Sequence, residues 1–234
     1  MIRLAVLSEI STLNKLIEQS ARALSQDDYS SEEIEGAISY VFGVDTELVE
    51  DKTYYVIEER GVILACGGWS KRKTLFGGNQ FIARESGLLD PKIDAAKIRA
   101  FFVNPDYARR GLGKTLLRYC EQQAVAHGFS SIEMMATLPG VKLYQACGYL
   151  SVGEEVHNLP NGVPLRFLRM IKNGVELNDV LESQASAKDL NTCFLGDMDV
   201  RKSVVDALGI FGRAIDTPPL VKGLDAYEAP TKRV

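Results

Sequence analysis

The stretch ARRGLGKT, residues 108–115, combines glycines with cationic side chains in a way that suits anion binding. It follows a strongly apolar run, Ile98 to Val103, and precedes a segment with helical apolar spacing. The pattern predicts a turn between a strand and a helix N-terminus, where backbone amides lack partners and the helix dipole is positive. Glycines let a bulky anion approach those amides, and Arg109, Arg110 and Lys114 add positive charge. The chemistry expected here is the binding of a phosphate or diphosphate.

Two classes of protein place phosphates on such a turn: nucleoside-triphosphate enzymes with a phosphate-binding loop, and enzymes that use acyl-coenzyme A. In the first class the loop leaves its strand almost directly, whereas Asn104 to Tyr107 intervene here. That class also needs a magnesium-holding Asp after an apolar strand. The nearest match, Val204-Val205-Asp206, lies in a helical pattern. We therefore favour the coenzyme and keep nucleotide binding as a remote alternative.

The elements that must position this turn follow from apolar periodicity. Helical spacing predicts two early helices, the second opened by the capping box Ser30-Ser31-Glu32-Glu33. Strand patterns predict a hairpin around Gly61, a long loop over residues 71–94 and a last hairpin around Asn161-Gly162. Between them, residues 98–137 form one strand–helix–strand unit that should be parallel and right-handed. The predicted fold class is α/β, a mixed and mostly antiparallel central sheet flanked by helices.

Two motifs together resemble those of the GCN5-related N-acetyltransferase (GNAT) family. VNPDYARRGLGKTLL, which begins at Val103, is similar to the family's coenzyme motif: Gln or Arg, two residues, Gly, one residue, then Gly or Ala. LYQACGY, which begins at Leu143, is similar to its second signature and lies at the expected distance. The order of elements over residues 2–172 agrees as well. Ala108 stands where the motif usually has Gln or Arg, and Thr137 stands where Asn is common.

The resemblance implies an enzyme that uses acetyl-CoA as cosubstrate, without a metal, to acetylate a primary amine by direct attack in a ternary complex. The acceptor would be a small molecule or a peptide. The resemblance assigns Phe102 and Val103, at a bulge in the strand, to binding of the thioester and the pantetheine arm. It assigns Thr137 to the same arm and Tyr144 to the sulfur, with Tyr144 as general acid. The coenzyme-binding residues of the turn would be Ala108, Arg109, Arg110, Gly111, Leu112, Gly113, Lys114 and Thr115.

The general base stays open on the sequence alone. The strand over residues 98–101 has no carboxylate, although the family often has a Glu there. Glu133 on the neighbouring strand and Glu85 in the long loop are candidates, and His157 is a third. Trp69, the only tryptophan, follows paired glycines and could wall the acceptor pocket or serve packing. The missing carboxylate supports the chief alternative, a non-catalytic acyl-CoA sensor that keeps the fold.

Composition excludes some classes of function. A hydrophobic fraction of 46% and a charged fraction of 25% are typical of a soluble globular protein. The formal net charge of -4 argues against general affinity for nucleic acid. No apolar run approaches the roughly 20 residues that span a bilayer, and the first residues are too polar for a signal peptide. We expect a cytoplasmic protein without a membrane partner, whose four cysteines are reduced and buried.

The predicted organisation is an acetyltransferase domain over residues 1–172 and a helical extension over residues 173–234. The extension does not match the family pattern. It could cover the acceptor site or mediate a homodimer.

Overall fold

A computed structural model describes residues 1–81, 83, 85 and 87–174 of this chain. The helices of this part are α1 (Ile10–Leu24), α2 (Ser31–Tyr40), α3 (Thr46–Glu50), α4 (Leu112–Ala126) and α5 (Val141–Ala146). Its strands are β1 (Ile2–Leu4), β2 (Tyr54–Glu59), β3 (Val62–Ser70), β4 (Ala96–Val103), β5 (Ser131–Thr137), β6 (Leu150–Asn158) and β7 (Pro164–Asn173). The extension expected over residues 173–234 lies outside the described residues, except for its first two.

The seven strands form one sheet in the order β1-β2-β3-β4-β5-β7-β6. Neighbouring strands are antiparallel, except that β4 and β5 run parallel and are joined through α4. This confirms the predicted fold class and the predicted parallel unit. The largely antiparallel sheet also differs from the parallel sheet that the nucleotide-binding alternative requires.

Local sequence signals account for the helices that flank the sheet. Helix α1 buries one apolar stripe that includes Leu13 and Ile17. The predicted capping box opens α2, since the Glu33 amide donates to Ser30 Oγ at 3.2 Å and the Ser30 amide donates to Glu33 Oε2 at 2.7 Å. Gly128, with φ of +91°, follows α4 in the left-handed conformation that ends helices.

The sheet has a hydrophobic core on each face. Helix α4 covers one face, where its buried residues pack with those of β3, β4 and β5. Helices α1 and α3 cover part of the other face. Trp69 belongs to the α4 core: it is fully buried, and its ring centroid lies 4.8 Å from that of His127 and 6.0 Å from that of Phe129. Of the two roles that the sequence left open for Trp69, the structure therefore shows packing in the core, and Trp69 is not among the lining residues of the cleft described below.

The described helices are all unsuited to crossing a membrane, because none of them is both long enough and apolar enough.

Candidate active site

Strands β4 and β5 part soon after they begin, and their separation opens the sheet. Within the described residues, the parallel pairing is limited to Ala96 with Ile132 and Lys97 with Glu133. Both strands continue well beyond these pairs. Backbone groups on the two separated edges are then available to a ligand, since they no longer pair with each other.

A bulge in β4 begins close to the point where the strands part. On the β3 side, Gly67 alone faces two residues of β4, Ala100 and Phe101. Two residues against one define a β-bulge, which bends the strand and increases its twist. Ala100 has a φ of +53°, a left-handed conformation that costs a non-glycine residue about 1 kcal/mol. The surrounding structure must therefore hold the bulge in place.

Residues of β2 and β3 contact the bulge and hold it in place. The hydroxyl of Tyr54, on β2, donates a hydrogen bond to the carbonyl of Ala100 at 3.0 Å, and Tyr54 is fully buried. Gly67 leaves room for the ring of Phe101, because a Cβ at Gly67 would lie 2.5 Å from Phe101 Cδ2. The paired glycines of β3 thus fit the bend in the sheet.

The predicted turn joins the end of β4 to α4. Asn104 starts it, and its side chain accepts a hydrogen bond from the Asp106 amide at 3.1 Å. Arg109 and Gly111 have φ values of +63° and +80°, and Gly111 is the N-cap of α4. A Cβ at Gly111 would meet no atom within 4 Å, so the space beside this glycine is open.

The exposed side of the turn presents unpaired amides and positive charge. The Thr115 amide donates to the Gly111 carbonyl at 3.0 Å, whereas the amides of the three preceding helical residues have no intrahelical partner. Arg109, Arg110 and Lys114 are exposed. The predicted site residues of the turn lie together, with Ala108, Arg109 and Arg110 before the N-cap, Gly111 at it, and Leu112, Gly113, Lys114 and Thr115 in the first turn of the helix. This geometry can bind a diphosphate.

A cleft lies between the separated strands. Residues 98–102 of β4 form one side, and Met134, Met135 and Thr137 of β5 belong to the lining. Other lining groups come from residues 41–43 after α2 and from residues 75–78 of the long loop. Tyr144 of α5 also lines the cleft.

The sequence model of the acetyltransferase (GNAT) family matches residues 16–149, which is more than half of the 234-residue chain. The chain belongs to the GNAT acetyltransferase family. Its membership agrees with the separated strands, the bulge and the glycine turn described above. No curated protein matches the sequence.

Solved structures similar to this GNAT domain are distant in sequence. A GCN5-related N-acetyltransferase from Rhodopseudomonas palustris is 21% identical, with a TM-score of 0.55 over 74% of this chain and 94% of that chain. A PaiA N-acetyltransferase from Thermoplasma acidophilum, solved with coenzyme A, is 16% identical, with a TM-score of 0.47 over 74% and 98%. An N-acetyltransferase from Staphylococcus aureus is 13% identical, with a TM-score of 0.48 over 74% and 97%. At such identities, the likeness to the first structure shows the fold alone.

Tyr144 lies in the wall of the GNAT cleft, on the short helix α5. It is 8% exposed, and its ring packs at the edge of the core beside Gly140, where a Cβ would lie 2.7 Å from Tyr144 Cε2. Burial raises the pKa of the Tyr144 hydroxyl well above its ordinary value. The hydroxyl is therefore protonated at neutral pH and can act as a hydrogen-bond donor or an acid.

The other residues expected to contact the pantetheine arm lie on the two edges of the opening. Phe102 and Thr137 line the cleft. The amide of Val103 donates a long hydrogen bond, 3.4 Å, to Oγ of Ser20 on α1. The carboxyl-terminal end of β4 thus brings backbone groups to the same opening as the side chain of Thr137.

Glu133, a candidate base, is held in a buried ion-pair network. It pairs with Lys97 at the last described pairing position of β4 and β5, and with Arg169 of β7 at 2.6 Å. Burial alone would raise the pKa of Glu133, but the hydrogen bonds and charges of Lys97 and Arg169 outweigh it and hold the pKa below its ordinary value. A carboxylate paired in this way stabilises the point where β4 and β5 part, and it is a poor proton acceptor.

The remaining candidate bases lie outside the lining of the cleft. Glu85 is exposed in the long loop, and its backbone pairs with Thr74. The ring of His157, on β6, packs against Phe76 and Phe81, with centroid distances of 5.6 Å and 5.1 Å. The structure thus brings Phe102, Thr137 and Tyr144 to one cleft, and it does not bring Glu85 or His157 into the lining.

Arg99 is a cleft residue that sequence reasoning missed. Its Nη1 lies 2.7 Å from Oδ2 of Asp45, and both side chains are almost fully buried. Its Nη2 also donates to the carbonyl of Gly77 in the long loop. Asp45 is in turn the N-cap of α3, accepting from the Glu47 amide at 3.0 Å. A charged residue within an apolar strand was the available signal, because such residues are rarely buried without a partner.

Within the described part of the chain, no three His, Cys, Asp or Glu side chains cluster in a way that could hold a metal ion.

Proposed function

We propose that this protein transfers the acetyl group of acetyl-CoA to a primary amine, by direct attack within a ternary complex. One observation carries the proposal: β4 parts from β5 and lines a cleft that contains Tyr144, and the same strand leads directly into an exposed, amide-rich turn. The turn suits a diphosphate, and the cleft suits the acyl transfer that takes place at the other end of the same coenzyme.

Several observations support a fit between the turn and coenzyme A. The open space beside Gly111 leaves room for the diphosphate next to the first amides of α4. The exposed cations Arg109, Arg110 and Lys114 supply local charge in a chain whose formal net charge is -4. The coenzyme would supply the acetyl thioester. Backbone groups of Phe102 and Val103 would orient that thioester, and donors there would stabilise the negative charge that develops on its oxygen.

Tyr144 is the proposed general acid. When the amine displaces the thiolate, the sulfur gains negative charge, and a proton or a hydrogen bond must meet it. Burial raises the pKa of Tyr144, so its hydroxyl keeps its proton at neutral pH and can meet the developing thiolate as a hydrogen-bond donor. Its place in the cleft wall supports this role.

Direct attack is favoured over an acetylated cysteine intermediate. Nucleophilic cysteines are thiolates with lowered pKa values. Burial instead raises the pKa of Cys66 to about 12 and that of Cys120 well above its ordinary value. Cys147 is half-buried, and burial raises its pKa as well. None of these three described cysteines has an activated thiol.

The experiment that tests the proposal follows the release of free thiol from acetyl-CoA in the presence of primary amines. We expect thiol release that depends on the added amine and equals the amount of N-acetylated product found by mass spectrometry. Acetyl-CoA binding without amine-dependent release would instead support the acyl-CoA sensor. Magnesium-dependent binding of ATP, without binding of acetyl-CoA, would support the nucleotide alternative.

The location and the assembly state remain predictions from the sequence. A cytoplasmic protein and a homodimer both agree with the proposal. The role of the extension over residues 173–234 belongs to the same set of open predictions.

A further inference from the structure

Part of the cleft lining consists of apolar side chains, here called the apolar wall. Residues 75–78 and 41–43 contribute Leu75, Phe76 and Phe42 to it, and β5 and β7 contribute Met135 and Phe167. The ring of Phe76 is fixed by its neighbours, with centroid distances of 5.2 Å to Phe167 and 4.6 Å to Phe81. An apolar surface held in place by ring contacts is the kind of surface that binds an alkyl or aryl group.

Among the described lining residues, Arg99 carries a charge, and that charge is matched by Asp45. Arg99 pairs with Asp45 at 2.7 Å and donates to the Gly77 carbonyl. The pair ties both loop segments of the wall to β4, so a ligand carboxylate could reach the guanidinium only by displacing Asp45 or Gly77. Displacing either would leave a buried polar group unpaired, which costs several kilocalories per mole when the group is charged.

Carboxylates are absent from the lining of the cleft, as far as the described residues go. A second ammonium group on the acceptor would therefore enter apolar surroundings without a counter-charge. The same surroundings favour the neutral form of the reacting amine, because desolvation lowers the pKa of an amine. An amine that is kept neutral by the wall needs no strongly basic side chain, in agreement with the absence of Glu85 and His157 from the lining.

From this wall we infer that the acceptor is a primary monoamine with an apolar chain or ring and no second charge. The inference rests on the proposed function and deepens it. Polyamines are disfavoured because no described residue of the lining is a carboxylate that could pair with a second ammonium. Amino acids are disfavoured because Arg99 already pairs with Asp45.

Three amines of equal chain length test the inference on the unaltered protein: n-hexylamine, hexamethylenediamine and 6-aminohexanoate. They differ at the far end only, which is a methyl group, an ammonium or a carboxylate. We expect kcat/KM for hexylamine to exceed both others by at least about tenfold, because each charged end would be desolvated without a partner. A kcat/KM for hexylamine equal to or below that for either charged amine, including no turnover of any of the three, overturns the inference.

Acetyl-CoA affinity, measured by calorimetry without amine, distinguishes failure of the proposed function from failure of the inferred acceptor class. Loss of acetyl-CoA binding contradicts the proposed function itself. Acetyl-CoA binding with preferred acetylation of the diamine or the amino acid leaves the proposed function intact and overturns the acceptor class.

A variant pair tests the same wall from the protein side. Leu75 is half-buried in the long loop and lines the cleft. Leu75→Glu adds a carboxylate there, and Leu75→Gln adds a polar group of similar shape without charge. We expect the ratio of kcat/KM for the diamine to that for hexylamine to rise at least about fivefold in L75E relative to L75Q. Equal ratios in the two variants contradict the placement of the acceptor chain against this wall.

Discussion

The turn over residues 104–115 and the apolar wall of the cleft would recognise their proposed ligands in different ways. The turn works through backbone: its amides point outward from a helix N-terminus, and a left-handed glycine leaves open space beside them. The wall works through side chains, since aromatic and aliphatic groups from distant parts of the chain meet there.

From this difference we expect the two sites to tolerate substitution differently. Ala108 stands where a longer polar residue is usual, and Arg109 and Gly111 beside it adopt left-handed conformations. A changed side chain in the cleft loses its contact with the ligand, because no backbone group replaces that contact. Backbone recognition should therefore be preserved across family members, whereas the wall should decide which amine is used.

The largest expected effect comes from the cleft, at Tyr144. Tyr144→Phe should lower kcat by about 100-fold or more, because the acid that meets the leaving sulfur is lost. The dissociation constant for acetyl-CoA should change by less than about threefold, since the turn is untouched. Steady-state thiol release and calorimetry measure the two quantities.

Tyr149→Phe is the matched control for that variant. Tyr149 is buried with its ring centroid 6.1 Å from that of Tyr144, and it belongs to the core on the α4 face. We expect kcat within about threefold of the unaltered protein. Equal losses of kcat in the two variants would show that Tyr144 acts through packing only.

The next effect is expected at Glu133, at the point where β4 and β5 part. Glu133→Gln leaves Lys97 buried without its counter-charge and should lower the free energy of unfolding by about 3 kcal/mol at neutral pH. Because the folded-state pKa of Glu133 is lowered, its stabilisation is present above the unfolded pKa of about 4.3 and is lost as the pH falls through the folded value. Urea unfolding at neutral and acidic pH should show the difference between the proteins shrink on acidification.

Activity decides whether Glu133 also serves as a base. We expect kcat of the folded Glu133→Gln protein to stay within about tenfold of the unaltered value, because the paired carboxylate stabilises the strands and does not accept the proton of the amine. Glu155→Gln, an exposed change on β6, should alter stability by less than about 0.5 kcal/mol. A loss of kcat above about 100-fold with unchanged stability would restore Glu133 as the base.

A smaller effect is expected at the turn itself. Gly111→Ala places a methyl group in the space beside the amides and strains a φ of +80°. Acetyl-CoA affinity should fall about tenfold, equivalent to about 1.4 kcal/mol. Gly162→Ala is the matched control, since Gly162 has a φ of +84° and an equally open surrounding in the last hairpin. Both variants should lose similar stability, and only the first should lose affinity.

The smallest effect is expected at the bulge. Tyr54→Phe removes the hydrogen bond to Ala100, worth about 1 kcal/mol, and lets the bulge shift. We expect kcat to fall about threefold with the KM of the amine unchanged, because the thioester is aimed less well. Tyr55→Phe removes a neighbouring hydroxyl whose hydrogen bond to Lys52, at 3.4 Å, lies outside the cleft. If Tyr55→Phe lowers kcat as much, the bulge is not held by Tyr54 in particular.

Much of the fold could be predicted from local signals. The predicted hairpins around Gly61 and Asn161-Gly162 are present as β2–β3 and β6–β7, because a left-handed glycine marks each turn. Helix α3 was missed, since five residues are too few for apolar periodicity and its Asp45 cap is a weak signal alone.

The candidate site also has parts that local sequence signals predict and parts that they do not. The turn could be predicted because its glycines and cations are contiguous in the sequence. The pairing of Arg99 with Asp45 and the contact of Tyr54 with Ala100 join residues about 50 positions apart, so no local pattern reveals them. Trp69 is a further case: the sequence allowed either a place in the acceptor pocket or packing, and alternation along β3 turns its ring toward the α4 core.

Calorimetric titration with acetyl-CoA in magnesium-free buffer tests the central claim most directly. If the amides at the start of α4 bind the coenzyme's diphosphate, we expect one molecule to bind per chain with measurable heat, and the affinity to weaken in Gly111→Ala but not in Gly162→Ala. No heat and no thermal shift with acetyl-CoA, or equal affinities in the two glycine variants, would contradict it.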